Sequence, residues 1–200
     1  MDTQQEGNII IANPEKLTLS KPQGRKALAM IEFSSIASGI TALDTITKTA
    51  EVDILLAQTI CPGKYMILFG GSISAVNASL EAARQISTQI DEFLLGRPHP
   101  DIFAAFSSTI SLQTGTAIGL IETHSGATAI KAADTAAKTA WITLAEIRIA
   151  HGMCGKSTVL FTGELAAVDA AIKEAAHTGQ LLNTAIIPNP DAKMIAAMVR

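Results

Sequence analysis

The stretch Ala27-Leu28-Ala29-Met30-Ile31-Glu32 returns 90 residues later as Ala117-Ile118-Gly119-Leu120-Ile121-Glu122. At the same spacing, Lys48-Thr49-Ala50 returns as Lys138-Thr139-Ala140. A repeat of this length is too long for a solenoid unit and indicates two whole domains. The sequence therefore predicts a tandem duplication that begins at the apolar stretch at Ala27.

The spacing of the repeat changes in the middle of each copy. Lys64 and Lys156 are 92 residues apart, which predicts a two-residue insertion in the second copy. The motif Pro98-His99-Pro100-Asp101 matches Pro188-Asn189-Pro190-Asp191 at 90, which predicts that the original spacing returns before the end of the copy.

Each copy predicts the same order of elements, βαββαβ. Short apolar runs precede, separate and follow two segments whose apolar residues have helical spacing. Ser72 is the predicted N-cap of the second helix in the first copy. The order is that of a ferredoxin-like α+β domain. The predicted domains are 26–112 and 113–200, preceded by a mobile N-terminal tail at 1–25. The predicted elements are strands at 27–33 and 117–123, helices at 37–50 and 127–140, strands at 52–60 and 65–69, helices at 73–90 and 164–178, and strands at 91–96 and 180–187.

The composition restricts the class of protein. Two hundred residues, 48% of them hydrophobic, suffice for packed cores. The net charge of -3 and the absence of a basic run argue against nucleic acid as a partner. No apolar run has the length that a bilayer requires and the first 25 residues have no signal-peptide core, so we expect no membrane association and a cytoplasmic protein.

Two loops carry the chemically distinctive residues. Thr59-Ile60-Cys61-Pro62-Gly63-Lys64 joins two predicted strands, and Gly152-Met153-Cys154-Gly155-Lys156 is its counterpart. The two cysteines form no C-x-x-C pair, so a metal or cluster at these loops would have to be shared between chains. Gly155-Lys156-Ser157 is not a phosphate-binding loop, because the first glycine of that motif would fall at Ala150 and a strand follows.

Four features together resemble the bacterial microcompartment shell domain, present twice over residues 27–200. They are the Ala-x-x-Met/Leu-Ile-Glu strand, the Lys-Thr-Ala that ends the first helix, the glycine loop, and the closing Pro-x-Pro. The chain is similar to the tandem-domain shell proteins of non-permuted order. Its loop at 59–64 most resembles that of the iron–sulfur-bearing members of the propanediol-utilisation type.

This resemblance implies a structural protein, not an enzyme, that forms a homotrimeric pseudo-hexamer and tiles edge to edge with other shell proteins. It also implies that the loops line a central pore. Three copies of Cys61 would bind one [4Fe-4S] cluster there, since thiolates are the usual ligands of such clusters. Electrons would then cross the microcompartment shell to or from an encapsulated or cytoplasmic redox enzyme. The expected pore residues are Ile60, Cys61, Pro62, Gly63, Lys64, His151, Gly152, Met153, Cys154 and Gly155.

Cys154 departs from the family pattern, because alignment of the lysines places it opposite Pro62 and not opposite Cys61. It could be an extra ligand, a redox partner of Cys61 or a small residue of the pore rim; the last is the preferred interpretation. His151 is interpreted as a polar lining residue.

The family also implies an edge of the tile. Lys48 and Lys138 end equivalent helices and are the expected contacts between tiles, with Arg97 and His99 near the same perimeter. Two alternative functions remain open: a cluster-free pore for small metabolites, and a soluble electron-transfer protein that does not tile.

Overall fold

A computed structural model describes residues 26–106, 112, 116–149 and 152–198. The predicted tail at 1–25 and the pore candidate His151 lie outside the described residues. No helix among the described residues is long and apolar enough to cross a bilayer.

Two domains follow one another along the chain, and each contains the predicted βαββαβ order. The sheets are antiparallel, with strand orders β2-β3-β1-β4 and β6-β7-β5-β8. The predicted α+β class is therefore confirmed in both copies. The first domain comprises β1 (Ala27–Phe33), α1 (Ile36–Thr49), β2 (Asp53–Ile60), β3 (Lys64–Gly71), α2 (Ile73–Arg84), β4 (Gln89–Gly96) and α3 (Asp101–Ala105). The second comprises β5 (Ala117–Thr123), α4 (Gly126–Thr139), β6 (Ile142–Ile149), β7 (Ser157–Gly163), α5 (Leu165–Ala175), β8 (Leu181–Ile187) and α6 (Ala192–Met198).

Serine side chains fix the start of three helices. Ser72 accepts a hydrogen bond from the backbone N–H of Ala75 at the start of α2, as predicted. Ser35 and Ser125 do the same at the start of α1 and α4. Each bond satisfies a backbone donor that has no partner within its own helix. The repeated first helices thus begin at equivalent positions.

The second helices end earlier than the sequence predicts. Helix α2 stops at Arg84 instead of residue 90, because Thr88 has a positive φ of 77° and Gln89 already pairs with Phe33 in the sheet. Helix α5 stops at Ala175, and a single 3-10 turn continues from there to residue 178. In the first copy the last strand takes residues 89 and 90, which the sequence assigns to the helix, whereas β8 begins at Leu181, after the predicted end of the second helix at 178.

The repeat spacing changes after the last strand. Strand β1 pairs Leu28 with Leu95, and β5 pairs Ile118 with Ile187, so the last strands are still 92 residues apart. The helices that follow the Pro-x-Pro motifs begin at Asp101 and Ala192, 91 residues apart. The insertion in the second copy is therefore retained until the sheet is complete.

The two faces of the first sheet have different partners. Side chains alternate between faces along a strand. Ala27, Ala29, Ile31 and Phe33 share a core with helices α1 and α2 of their own domain. Leu28 and Met30 share a different core with helix α4 of the second domain. Strand β1 is consequently buried along its whole length, and the second domain forms part of the core of the first.

Candidate functional site

The two predicted pore loops contact each other within one chain. A Cβ placed on Gly155 would lie 3.4 Å from the carbonyl oxygen of Cys61 and 3.9 Å from Cδ of Pro62. Gly155 has φ +89° and Gly63 has φ +72°, a conformation that favours glycine. The residues that the sequence singled out in separate copies therefore form one surface.

Both cysteine side chains on this surface are free and exposed. Neither lies in a helix or strand, since Cys61 follows the end of β2 and Cys154 lies in the turn between β6 and β7. Cys154 has φ +51°, an uncommon conformation for a residue with a side chain. Of the other pore candidates, Pro62, Gly63 and Gly152 are exposed, Lys64 and Met153 are half-buried, Gly155 is buried, and Ile60 packs into the core.

A buried acid–base pair lies in the first domain. The carboxylate of Glu32 is 1% exposed, and its Oε2 lies 3.7 Å from Nζ of Lys64. Its Oε1 has no hydrogen-bond partner of good geometry among the described residues. Burial raises the pKa of Glu32, and Asp91 adds to the rise, while Lys64 and the backbone amide of Gly126 oppose it.

The same pair recurs in the second domain in a more open position. Glu122 Oε2 lies 3.6 Å from Nζ of Lys156, with the two side chains 30% and 56% exposed. Helix α4 begins against the first pair, because a Cβ placed on Gly126 would lie 3.4 Å from Oε1 of Glu32. We did not predict either pair from the sequence, although both glutamates end the repeated Ile-Glu strand and both lysines open the repeated third strand.

An aspartate connects the domains beside the predicted tile edge. Asp134 is nearly buried and accepts hydrogen bonds from the backbone N–H of His99 at 2.7 Å and from Nζ of Lys138 at 2.6 Å. The structure thus brings together two of the predicted edge residues. The equivalent Asp44 pairs with Lys48 at 2.7 Å, but its side chain is 60% exposed.

The same edge holds an open cleft of about 490 Å³, lined by His99, Asp101, Lys138 and Trp141 among others. Trp141 is 98% exposed. Arg97 is also exposed but does not line this cleft.

The helix face and the sheet face that meet between the domains each have a more exposed equivalent in the other domain. Ile130 on α4 is fully buried under the first domain, whereas Ile40, at the equivalent place on α1, is 55% exposed. Met30 on β1 is fully buried, whereas its counterpart Leu120 on β5 is partly exposed. Each chain therefore presents an exposed face of α1 at Ile40 and, at Leu120 of β5, a sheet face that Ile195 of α6 covers in part.

A cluster cannot be held by the described part of one chain alone. No group of three or more His, Cys, Asp or Glu side chains within the described residues could hold a metal. Cys61 offers an exposed thiol at a meeting point of two loops. The donor set fits an iron–sulfur cluster only if several chains each contribute one cysteine.

Comparison with known proteins identifies the family. The BMC domain family matches residues 27–98 and 117–190, most of the chain. The bacterial microcompartment shell protein PduT of Citrobacter freundii is 33% identical over an alignment of 180 residues, which covers 87% of this chain and 98% of that protein. The chain belongs to the BMC domain family of microcompartment shell proteins. The resemblance drawn from the repeated motifs is thereby confirmed.

A solved structure and a further relative agree with this assignment. A crystal structure of a microcompartment protein from Desulfitobacterium hafniense superimposes with a TM-score of 0.76 at 39% identity, covering 84% of this chain and 97% of that one. The carboxysome assembly protein CcmO of Synechococcus elongatus is 27% identical over 190 residues, 86% of this chain and 68% of that protein. The chain is therefore a structural shell protein with two BMC domains.

Proposed function

We propose that three copies of this chain close into a ring that serves as a tile of a microcompartment shell, with the cysteine loops around a central pore. The observation that carries the proposal is that the surfaces that meet between the two domains have more exposed equivalents, on α1 and on β5. The exposed face of α1 around Ile40 would pack against the partly covered sheet face around Leu120 of a second copy, as α4 packs against β1 within a chain. Contacts of this head-to-tail kind generate closed rings when the rotation permits.

The number of copies follows from the duplication. A ring that repeats the internal domain contact passes through two domains per chain, so three chains give the six-domain outline that the family resemblance implies. The loop contact between Cys61 and Gly155 would then recur around the axis, because it lies at the same domain joint. Three copies of Cys61 would face one centre.

This arrangement supports a [4Fe-4S] cluster at the pore. Three thiolates from Cys61 would bind three of its irons, and the fourth iron would take a different ligand. When bound, such a cluster supplies one-electron redox chemistry. Lys64 lies three residues from Cys61 with its Nζ near Glu32, so the loop places a cation close to the anionic centre. The proposed role is transfer of electrons across the shell, with an encapsulated or cytoplasmic redox enzyme as the partner.

The tile would meet other shell proteins along its outer edge. Lys48 and Lys138 lie in the last turn of α1 and α4, and both are exposed, Lys48 more than Lys138. Together with His99 they are the proposed contacts between tiles. Arg97 is proposed at the same perimeter, outside the cleft at Trp141.

Anaerobic purification followed by iron and sulfide assays tests the cluster. We expect about four irons and four sulfides per three chains, with an electron paramagnetic resonance signal on reduction. Cys61→Ser should lose both the iron and the signal. Cys154→Ser is the matched control, because it removes the other exposed thiol and should retain the iron if Cys61 is the ligand. Absence of iron in the wild-type protein would favour the cluster-free metabolite pore.

A further inference from the structure

The second cysteine is adjacent to the loop that carries the first. Gly155, the residue after Cys154, is close enough that its Cβ position lies 3.4 Å from the carbonyl oxygen of Cys61. Consecutive Cα atoms are about 3.8 Å apart, so Cys154 is one residue from this contact. The fold has thus brought together the two cysteines of the chain from positions 93 residues apart.

Both thiols are also free to react. Each is exposed and unpaired, and each lies in turn backbone outside the strands. A disulfide requires the two Cα atoms to come within about 4.4–6.8 Å. The turns that carry the two thiols already touch at Gly155 and the carbonyl oxygen of Cys61, so the proposed pairing involves these turns and no strand residue.

We propose that Cys61 and Cys154 of one chain form a reversible disulfide where their two loops meet. Cys154 lies opposite Pro62 in the repeat and therefore does not duplicate the position of Cys61. The disulfide would withdraw Cys61 from cluster binding, and this consequence alone rests on the proposed function.

The oxidant is a low-molecular-weight disulfide such as oxidised glutathione. One cysteine thiolate attacks a sulfur of the oxidant, forms a mixed disulfide and releases one glutathione thiol. The other cysteine then attacks the protein sulfur of the mixed disulfide, so the Cys61–Cys154 bond forms and the second glutathione thiol leaves. Two protein thiols are oxidised, the oxidant is reduced to two thiols, and two protons pass to the thiols released.

The test is a titration of the full-length protein, purified anaerobically and freed of iron with a chelator. After treatment with oxidised glutathione and a thiol-alkylating reagent, we expect a mass about 2 Da below that of the reduced chain, without adducts. Peptide mapping should join the peptides of Cys61 and Cys154, and dithiothreitol should restore two alkylatable thiols. Cys61→Ser and Cys154→Ser should each retain one glutathione, because the second thiol is missing.

Three results would overturn the proposal. They are two glutathione adducts on the wild-type chain, two unreacted thiols, or chains cross-linked to one another on a non-reducing gel. Because the mass measurement needs no iron, a protein that never binds a cluster can still show the disulfide. Reconstitution with iron and sulfide then tests the consequence separately: the oxidised protein should take up no iron, and the reduced protein should.

Discussion

Lys64 Nζ lies 3.7 Å from Oε2 of Glu32, a carboxylate that helix α4 of the second domain helps to cover. Burial raises the pKa of Glu32 although this lysine opposes the rise. The folded chain therefore binds a proton at Glu32 more tightly than the unfolded chain does. Ionisation of Glu32 is therefore less favourable in the folded protein than in the unfolded chain.

Glu32→Gln should change the pH dependence of stability. Between pH 4.5 and the raised pKa, the folded state holds more protons than the unfolded state, so the contribution of Glu32 to the free energy of unfolding falls as pH rises. The glutamine variant lacks this contribution. Relative to wild type, it should gain stability as pH rises above 4.5 and level off above the folded pKa. Denaturant unfolding at a series of pH values and fixed protein concentration measures the difference.

Lys64→Met is the companion variant. Without the ammonium group, the pKa of Glu32 should rise further, because one of the causes that lower it is gone. Its stability should therefore continue to fall with pH beyond the range seen in wild type. Parallel curves of the free energy of unfolding against pH for wild type, Glu32→Gln and Lys64→Met would rule out a buried ionisable carboxylate where the two domains meet.

Ile40→Asp should dissociate the proposed trimer. Ile40 is 55% exposed in the single chain, and burial of such a side chain contributes about 1.5–3 kcal/mol. A charge at this position would have to be desolvated at each of the three contacts in the ring. Sedimentation velocity at micromolar concentration should show monomers for this variant and trimers for wild type.

Ile73→Asp provides the matched control for that experiment. Ile73 is 56% exposed but lies at the first position of α2, where an acidic residue suits the helix. It should remain trimeric. Equal behaviour of the two variants would contradict the placement of the interface on α1.

Much of the fold is predictable because the repeated motifs are local. The apolar run from Ala27 gives strand β1 with correct bounds, and Ser72 gives the start of α2. The end of α2 is not predictable in this way, because it depends on the pairing of Gln89 with Phe33 across the sheet. Local periodicity contains no information about that pairing.

The candidate site is also predictable only where it depends on local motifs. The cysteine loop and the lysines of the edge carry recognisable motifs, so their residues can be named from the sequence. The contact of Gly155 with Cys61 and the bond from His99 to Asp134 depend on how the second domain docks on the first. Docking buries a residue of one copy and leaves its equivalent in the other copy exposed. Two similar sequence copies do not show which of the two is buried.

Gly119→Ala should destabilise the second domain through its own core. A Cβ at this position would lie 2.4 Å from Cε2 of Phe161 and 2.9 Å from Cγ1 of Val168, both buried. Such overpacking costs about 1–3 kcal/mol. For a chain of this size the melting temperature should fall by about 2–4 °C per kcal/mol. Gly71→Ala is the control, because its Cβ would make ordinary contacts of 3.5 Å or more, and an equal fall in both variants would contradict the packing argument.

Lys48→Asp should abolish the sheets formed by tiles while leaving trimers intact. Lys48 pairs with the exposed Asp44, so its replacement adds a negative charge at the proposed edge without exposing a buried group. Lys138→Asp should have the same effect on sheets, but it also removes the partner of the nearly buried Asp134 and should lower the melting temperature. Negative-stain electron microscopy at high protein concentration detects sheets, and sedimentation detects trimers.

Lys173→Asp is the matched control, because Lys173 also pairs with an aspartate four residues earlier on an exposed helix face. Since Lys173 lies on α5, away from the proposed edge, its variant should still form sheets; intact sheets in Lys48→Asp would contradict the assignment of the edge.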